Sequence, residues 1–132
     1  MEINEITGTI IDASMRVHSQ LGPGLLENVY EACLLHELRK RGLGVQAQVC
    51  VPLVYDDLRL ENGLRLDLLV EDIVIVELKA VDAVLALFKA QLLSYLRLAN
   101  KPVGLLINFH EVHLRDGIIR VVNGRARGAG KL

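Results

Sequence analysis

Asp67, Glu77 and Lys79 are two carboxylates and an amine set within thirteen residues of one another, a combination able to hold a metal ion or move a proton. They interrupt the run LRLDLLVEDIVIVELKAV, residues 64–81, which otherwise reads as two core strands. Glu77 and Lys79 are two apart, so on a strand both side chains leave the same face. Their neighbours Ile75, Val76 and Leu78 are apolar, and an unpaired charge buried among them would be costly or would be neutralised. Such charges are either paired with one another or put to use. Two carboxylates and a lysine can hold a divalent metal ion and activate a water. A salt bridge from Lys79 to a carboxylate at a strand end is the plainer alternative.

The turn between the two strands decides whether the carboxylates can meet. A two-residue Glu71-Asp72 turn would pair Val70 with Ile73 and send Asp67 and Glu77 to opposite faces. A three-residue loop, Glu71-Asp72-Ile73, closes Val70 onto Val74 and sets Asp67 opposite Glu77, with Lys79 on the diagonal. Such a loop carries a residue at positive φ, and Asp72 is the expected bearer unless a bulge intervenes. In that register Asp67 and Glu77 can ligate one Mg²⁺ or Mn²⁺. The Leu78 main-chain carbonyl is a third ligand and water fills the remaining positions. Lys79 could then orient or deprotonate the attacking water, or stabilise charge on a phosphate.

Two helical clusters could contribute. In GLLENVY, residues 24–30, Glu27, Tyr30 and the following Glu31 lie on adjoining helical faces, although a first-turn carboxylate can simply complement the helix dipole. Gln91 and Tyr95 are four apart on one face of a later helix, where an amide and a phenol could hold a phosphate or a water. An ordinary amphipathic helix explains that pair equally well.

The helices and strands that carry these groups follow from periodicity. Ile6, Ile10, Ala13, Val17 and Leu21 give a first helix over residues 4–20, capped by Asn4 and broken by Gly22-Pro23-Gly24. A second helix runs from about residue 25 to 41, with Leu26, Val29, Tyr30, Cys33, Leu34 and Leu38 as its buried stripe and Gly42 as its end. Residues 45–55 alternate as a strand. A polar turn is expected over 56–63, strands over 64–70 and 73–79, a helix over 83–99, and an all-apolar central strand over 103–109. Asp116-Gly117 reads as the turn of a hairpin between 113–115 and 118–122. The tail, residues 125–132, reads as flexible and residues 1–124 as one domain. The order α–α–β–β–β–α–β–β makes an α/β sandwich around a single mixed sheet.

Composition narrows the function classes. The chain has 132 residues, 52% of them hydrophobic, enough for a core without disulfides. The net charge of −1 gives no global pull toward nucleic acid. Any contact with a phosphate backbone must come from a local patch such as Arg97, Lys101, Arg115, Arg120, Arg125, Arg127 and Lys131. With 4% aromatic residues and no Trp, a stacking platform for single strands is not expected. Cys33 and Cys50 lie in no metal-binding or redox spacing and read as buried free thiols. That suits a reducing compartment. With no secretory pattern and no membrane-length apolar run, a cytoplasmic protein is expected. His110-Glu111-Val112-His113 does not have the zinc-helix spacing and reads as surface, and His18 and His36 as exposed helical residues.

Taken together, these motifs resemble a known family. Gly24, Glu27 and Tyr30 match the signature of the GxxExxY proteins of the PD-(D/E)XK nuclease-like superfamily. Asp67 followed by Glu77-Leu78-Lys79 is similar to that superfamily's D…ExK motif, and Gln91 with Tyr95 to a QxxxY motif. The resemblance spans residues 4 to 122. It implies an αβββαβ restriction-endonuclease-like core, here with an extra N-terminal helix and a C-terminal hairpin. It also implies roles: Asp67 and Glu77 as metal ligands, Glu27 holding the metal or its waters, and Lys79 acting on the nucleophile. Gln91, Tyr95 and Tyr30 would position substrate. The implied activity is metal-dependent phosphodiester hydrolysis with Mg²⁺ or Mn²⁺, on DNA or RNA, in a chain small enough to suggest a homodimer. The alternative is a non-catalytic nucleic-acid- or protein-binding module on the same fold.

Overall fold

The structure, a computed structural model, describes residues 1–126. Two helices, α1 (Ile3–Leu21) and α2 (Glu27–Lys40), precede three strands, β1 (Val45–Tyr55), β2 (Leu58–Val70) and β3 (Val74–Lys79). Helix α3 (Ala86–Ala99) then leads to β4 (Val103–Asn108), and a 3₁₀ turn (Leu114–Gly117) leads to β5 (Ile118–Val122). The five strands form one sheet in sequence order, antiparallel throughout except for the parallel β3–β4 pair. This is the expected mixed α/β sheet of the restriction-endonuclease-like kind.

The sheet has a core on each face. Ile6, Ile10, Ala13 and Val17 of α1 and Tyr30, Leu34 and Leu38 of α2 pack with Val74, Val76 and Leu78 of β3. On the other face Leu92 and Leu96 of α3 pack with Leu69, Ile75 and Leu106. Alternation along β3 therefore puts Glu77 on the α3 face with Ile75. Gly104 lets α3 approach, since a Cβ there would stand 2.8 Å from Leu92 Cδ1.

Several sequence expectations need correction. Helix α1 starts after Glu2 with no side-chain cap; Asn4 lies inside it and accepts a 2.9 Å hydrogen bond from Arg120 Nη2. Leu26 and Val29 are exposed rather than part of the α2 stripe, because the buried face narrows to Tyr30, Leu34 and Leu38. The expected turn over 56–63 is mostly strand. The β1–β2 hairpin turns at Asp56-Asp57, and Gly63 sits within β2 where a Cβ would collide with Leu53 at 2.3 Å. The expected C-terminal hairpin does not form. Leu114 instead starts a 3₁₀ turn, Leu114–Gly117, with its side chain buried, and β5 pairs with β4. Cys33 is only partly buried and Cys50 is exposed. No helix among the described residues is long and apolar enough to cross a membrane. The tail expectation for residues 127–132 lies outside the described residues.

Candidate active site

The β2–β3 turn has the register that brings the carboxylates together. The ladder pairs Val70 with Val74, Leu69 with Ile75 and Leu68 with Val76. Glu71 and Asp72 both take positive φ, at 53° and 57°, and Ile73 N–H donates to Val70 O at 3.0 Å. Asp72 is thus not alone in the left-handed region, and Ile73 is the extra residue that shifts the register. Neighbouring chain stabilises this conformation. Glu71 Oε2 accepts from Gly44 N–H at 2.7 Å, and Lys101 Nζ donates to Asp72 O at 2.8 Å and Oδ1 at 3.0 Å.

Beyond Leu68–Val76 the ladder stops, and the next rung would be Asp67–Glu77. The strands part there, and each carboxylate serves a backbone group of the other strand. Glu77 Oε2 accepts from Asp67 N–H at 2.9 Å, and Asp67 Oδ2 accepts from Leu78 N–H at 2.9 Å. Buried N–H groups left by a forking ladder need partners, and these side chains supply them. Because the N–H and C=O of one strand residue leave on the same edge, the Leu78 carbonyl also points into the fork.

Glu77 is only 7% exposed. Burial, then the charge of Asp67 and a side-chain hydrogen bond with it, push its pKa up to about 9, against smaller opposing pulls from the Asp67 N–H bond and then Lys79. A proton therefore sits on Glu77 at neutral pH when no cation is present. Lys79 is partly buried with Nζ 4.4 Å from the Phe88 ring centroid, a cation–π contact. No ion pair within 4.0 Å joins it to Asp67 or Glu77 among the described residues, so the salt-bridge alternative is not what forms.

The GLLENVY segment has a structural logic of its own. Gly24 takes φ 103° in the turn before α2. Tyr30 is wholly buried and stacks on Phe109 with centroids 4.5 Å apart. Its hydroxyl donates to Gly22 O at 2.6 Å and accepts from Leu25 N–H at 3.0 Å. Tyr30, expected to position substrate, instead anchors the entry to α2, because its hydroxyl is spent on that turn. Glu27 is the first residue of α2. It is an exposed residue, yet its carboxyl pKa is raised, first by partial desolvation and then by Asp67, with Lys79 opposing. Glu27 thus feels the charges of Asp67 and Lys79.

A cleft of ≈ 380 Å³ beside Asp67 is lined by Leu26, Glu27, Asn28, Glu31 and Gln48. Gln48 Nε2 donates to Glu31 Oε1 at 2.5 Å. The Glu31 pKa is raised by desolvation foremost and by Asp67, and lowered by the Gln48 bond and Arg65. Glu31, one helical turn after Glu27, is the third member of the cluster named from the sequence. Gln48 carries no such signal. A second hollow of ≈ 320 Å³ between α1 and α2, lined in part by Val17, Cys33 and His36, contains none of these groups.

Tyr95 is partly buried, and desolvation, then Glu77 and Asp67, raise its pKa, so it borders the fork from the α3 side. Gln91 is exposed, and its side chain makes no hydrogen bond among the described residues. His18 is not free on the surface: its Nε2 bonds Glu111 O at 2.7 Å, and His110 Nε2 bonds Leu25 O at 3.2 Å. In the expected basic patch, Arg120 is occupied with Thr7 and Asn4 and Lys101 with Asp72, while Arg127 and Lys131 lie outside the described residues.

Among the described residues no three His, Cys, Asp or Glu side chains gather closely enough to hold a metal ion. Glu27, expected in the ligand set, is therefore not assembled with Asp67 and Glu77. The latter two are drawn inward to backbone N–H groups, while the Glu27 carboxylate has no hydrogen bond among the described residues. Two adjacent carboxylates and a backbone carbonyl still suit a hard divalent ion, which takes one or two carboxylates and keeps several waters.

An α/β sheet that forks at a paired Asp and Glu, with a lysine two residues on, defines a nuclease-like class of protein. The chain belongs to the PD-(D/E)XK nuclease superfamily, which it matches over residues 4–121. Comparisons with curated proteins and with solved structures give no match.

Proposed function

We propose that this protein is a metal-dependent nuclease that hydrolyses nucleic-acid phosphodiester bonds at the β2–β3 fork. The observation that carries the reading is the fork itself. Asp67 and Glu77 are paired where the backbone ladder fails, beside a lysine with no carboxylate partner among the described residues. Asp67, Glu77 and the Leu78 carbonyl would hold Mg²⁺ or Mn²⁺, with Glu27 holding its waters from across the cleft. The bound ion would supply a water of lowered pKa and neutralise phosphate charge. Lys79, held over Phe88 rather than in an ion pair, is available to orient that water or to meet the charge of the pentacoordinate phosphate. Tyr95 and Gln91 on α3 would hold the phosphate on the same face as Glu77 and Lys79. Two free thiols suit work in the cytoplasm, and a homodimer would give the two centres that a duplex cut requires.

A second reading has its own support. Both carboxylates already satisfy backbone N–H groups, which is all that a non-catalytic binding module would ask of them. Labelled single- and double-stranded DNA and RNA, incubated with Mg²⁺ or Mn²⁺, separate the two readings. Cutting that requires the metal and disappears in Glu77→Ala and Lys79→Ala supports the nuclease. Equal cutting by the variants, or none on any substrate, supports the module.

A further inference from the structure

We infer that Gln48 is a positioning residue for Asp67: its left-handed backbone turns β1 over at the rung facing the fork, and its amide steadies Glu31 beside it. The inference rests on the reading of the fork as a metal centre. Residues two apart on a regular strand share a face. Ala47 and Val49 do not, because Ala47 packs into the α1–α2 core and Val49 into the α3 core. Leu68 and Leu66 on β2 divide in the same way. Both reversals fall at one place. The ladder pairs Ala47 with Leu68 and Val49 with Leu66, and leaves Gln48 and Asp67 between them unpaired.

The cause on β1 is explicit. Gln48 has φ 53°, a region that a long L side chain seldom adopts in mid-strand. Glycine would take that conformation more easily, so a reversal alone gives no reason for glutamine. What glutamine adds is the bond to Glu31 beside Asp67 in the cleft, a contact separate from the reversal that positions Asp67. The consequence lies on β2. Asp67 N–H turns to the Glu77 carboxylate, and the Asp67 carboxylate reaches Leu78 N–H. Without the reversal, β2 would keep its alternation and could zip onto β3 through the fork, closing the place where a cation would sit.

The test is a substitution series, Gln48→Gly, Gln48→Asn, Gln48→Ala and Gln48→Val, read by Mn²⁺ affinity in calorimetric titration and by the Tm of the metal-free protein. Affinity is expected to follow ease of the left-handed backbone. Gly and Asn should stay near wild type and Val should fall roughly tenfold or more, the range seen when support for a metal ligand is lost. Gln48→Gly should keep or raise the Tm. If Gln48→Val does not fold, the Gly-to-Ala difference in affinity decides. Unchanged Mn²⁺ affinity across the series, with only the Tm moving, would overturn the inference, as would Gln48→Gly binding as weakly as Ala or Val. A wild type that binds no Mn²⁺ removes the metal centre itself and this inference with it, whereas normal binding that ignores Gln48 removes only the latter.

Discussion

The two ends of the β2–β3 hairpin make opposite use of the same backbone. At the turn end, Leu68, Val70, Val74 and Val76 are wholly buried and their ladder is complete. At the other end, the ladder gives way to two carboxylates that take over its hydrogen bonds. The first end is stable because every polar group has a fixed partner in the chain. The second is satisfied only by side chains that another ligand could recruit. A fork of this kind stores binding capacity inside a sheet without leaving orphaned N–H groups, and no buried side-chain polar atom among the described residues lacks a partner.

The largest expected contrast between the ends is in activity. Lys79→Ala should lower cleavage by roughly 10²–10³-fold while leaving the denaturant midpoint close to wild type, because Lys79 forms no ion pair among the described residues. Leu68→Ala at the turn end should do the reverse. It should cost about 2–5 kcal/mol of stability, measured by urea unfolding, with little change in rate per folded molecule. Equal losses of both kinds in both variants would erase the distinction.

A pH series sharpens it. The Glu77 pKa is raised from 4.5 to about 9, so the metal-free folded chain keeps a proton that the unfolded chain releases. The stability contributed by this group is full below the unfolded value and is lost as pH rises through the folded one. Metal-free stability should thus decline across that window, by up to ~1.4 kcal/mol per pH unit, and Glu77→Gln should flatten the decline. The smallest effect belongs to the anchor. Tyr30→Phe removes the hydroxyl bonds to Gly22 and Leu25 and should cost about 1 kcal/mol, seen as a lower melting temperature with cleavage nearly intact. A large loss of cleavage instead would return Tyr30 to a substrate role.

What the sequence revealed follows the same division. Hydrophobic periodicity located α1, α2, α3, β1, β3, β4 and the buried half of β2, because burial of one face is what their residues encode; the exposed half of β2, from Leu58, has no buried face to betray it. The Val70–Val74 register could be reasoned out, since only an odd loop lets Asp67 meet Glu77. Tyr30 was misread because a motif residue looks alike whether it holds substrate or holds the backbone. Gln48 was invisible, because nothing in alternating VQAQV announces a left-handed residue. Leu114 defeated the C-terminal hairpin for a tertiary reason: its side chain fills the core beside α1, which outweighs the local turn signal at Asp116-Gly117.

The most direct test of the fork is titration of Mn²⁺ at pH 7 in two buffers of different ionisation enthalpy, for wild type and Glu77→Gln. If Asp67 and Glu77 give up their internal hydrogen bonds to a cation, binding should release about one proton per ion, and Glu77→Gln should abolish both the binding and the release. Binding without proton release, or binding that survives Glu77→Gln unchanged, would contradict the account.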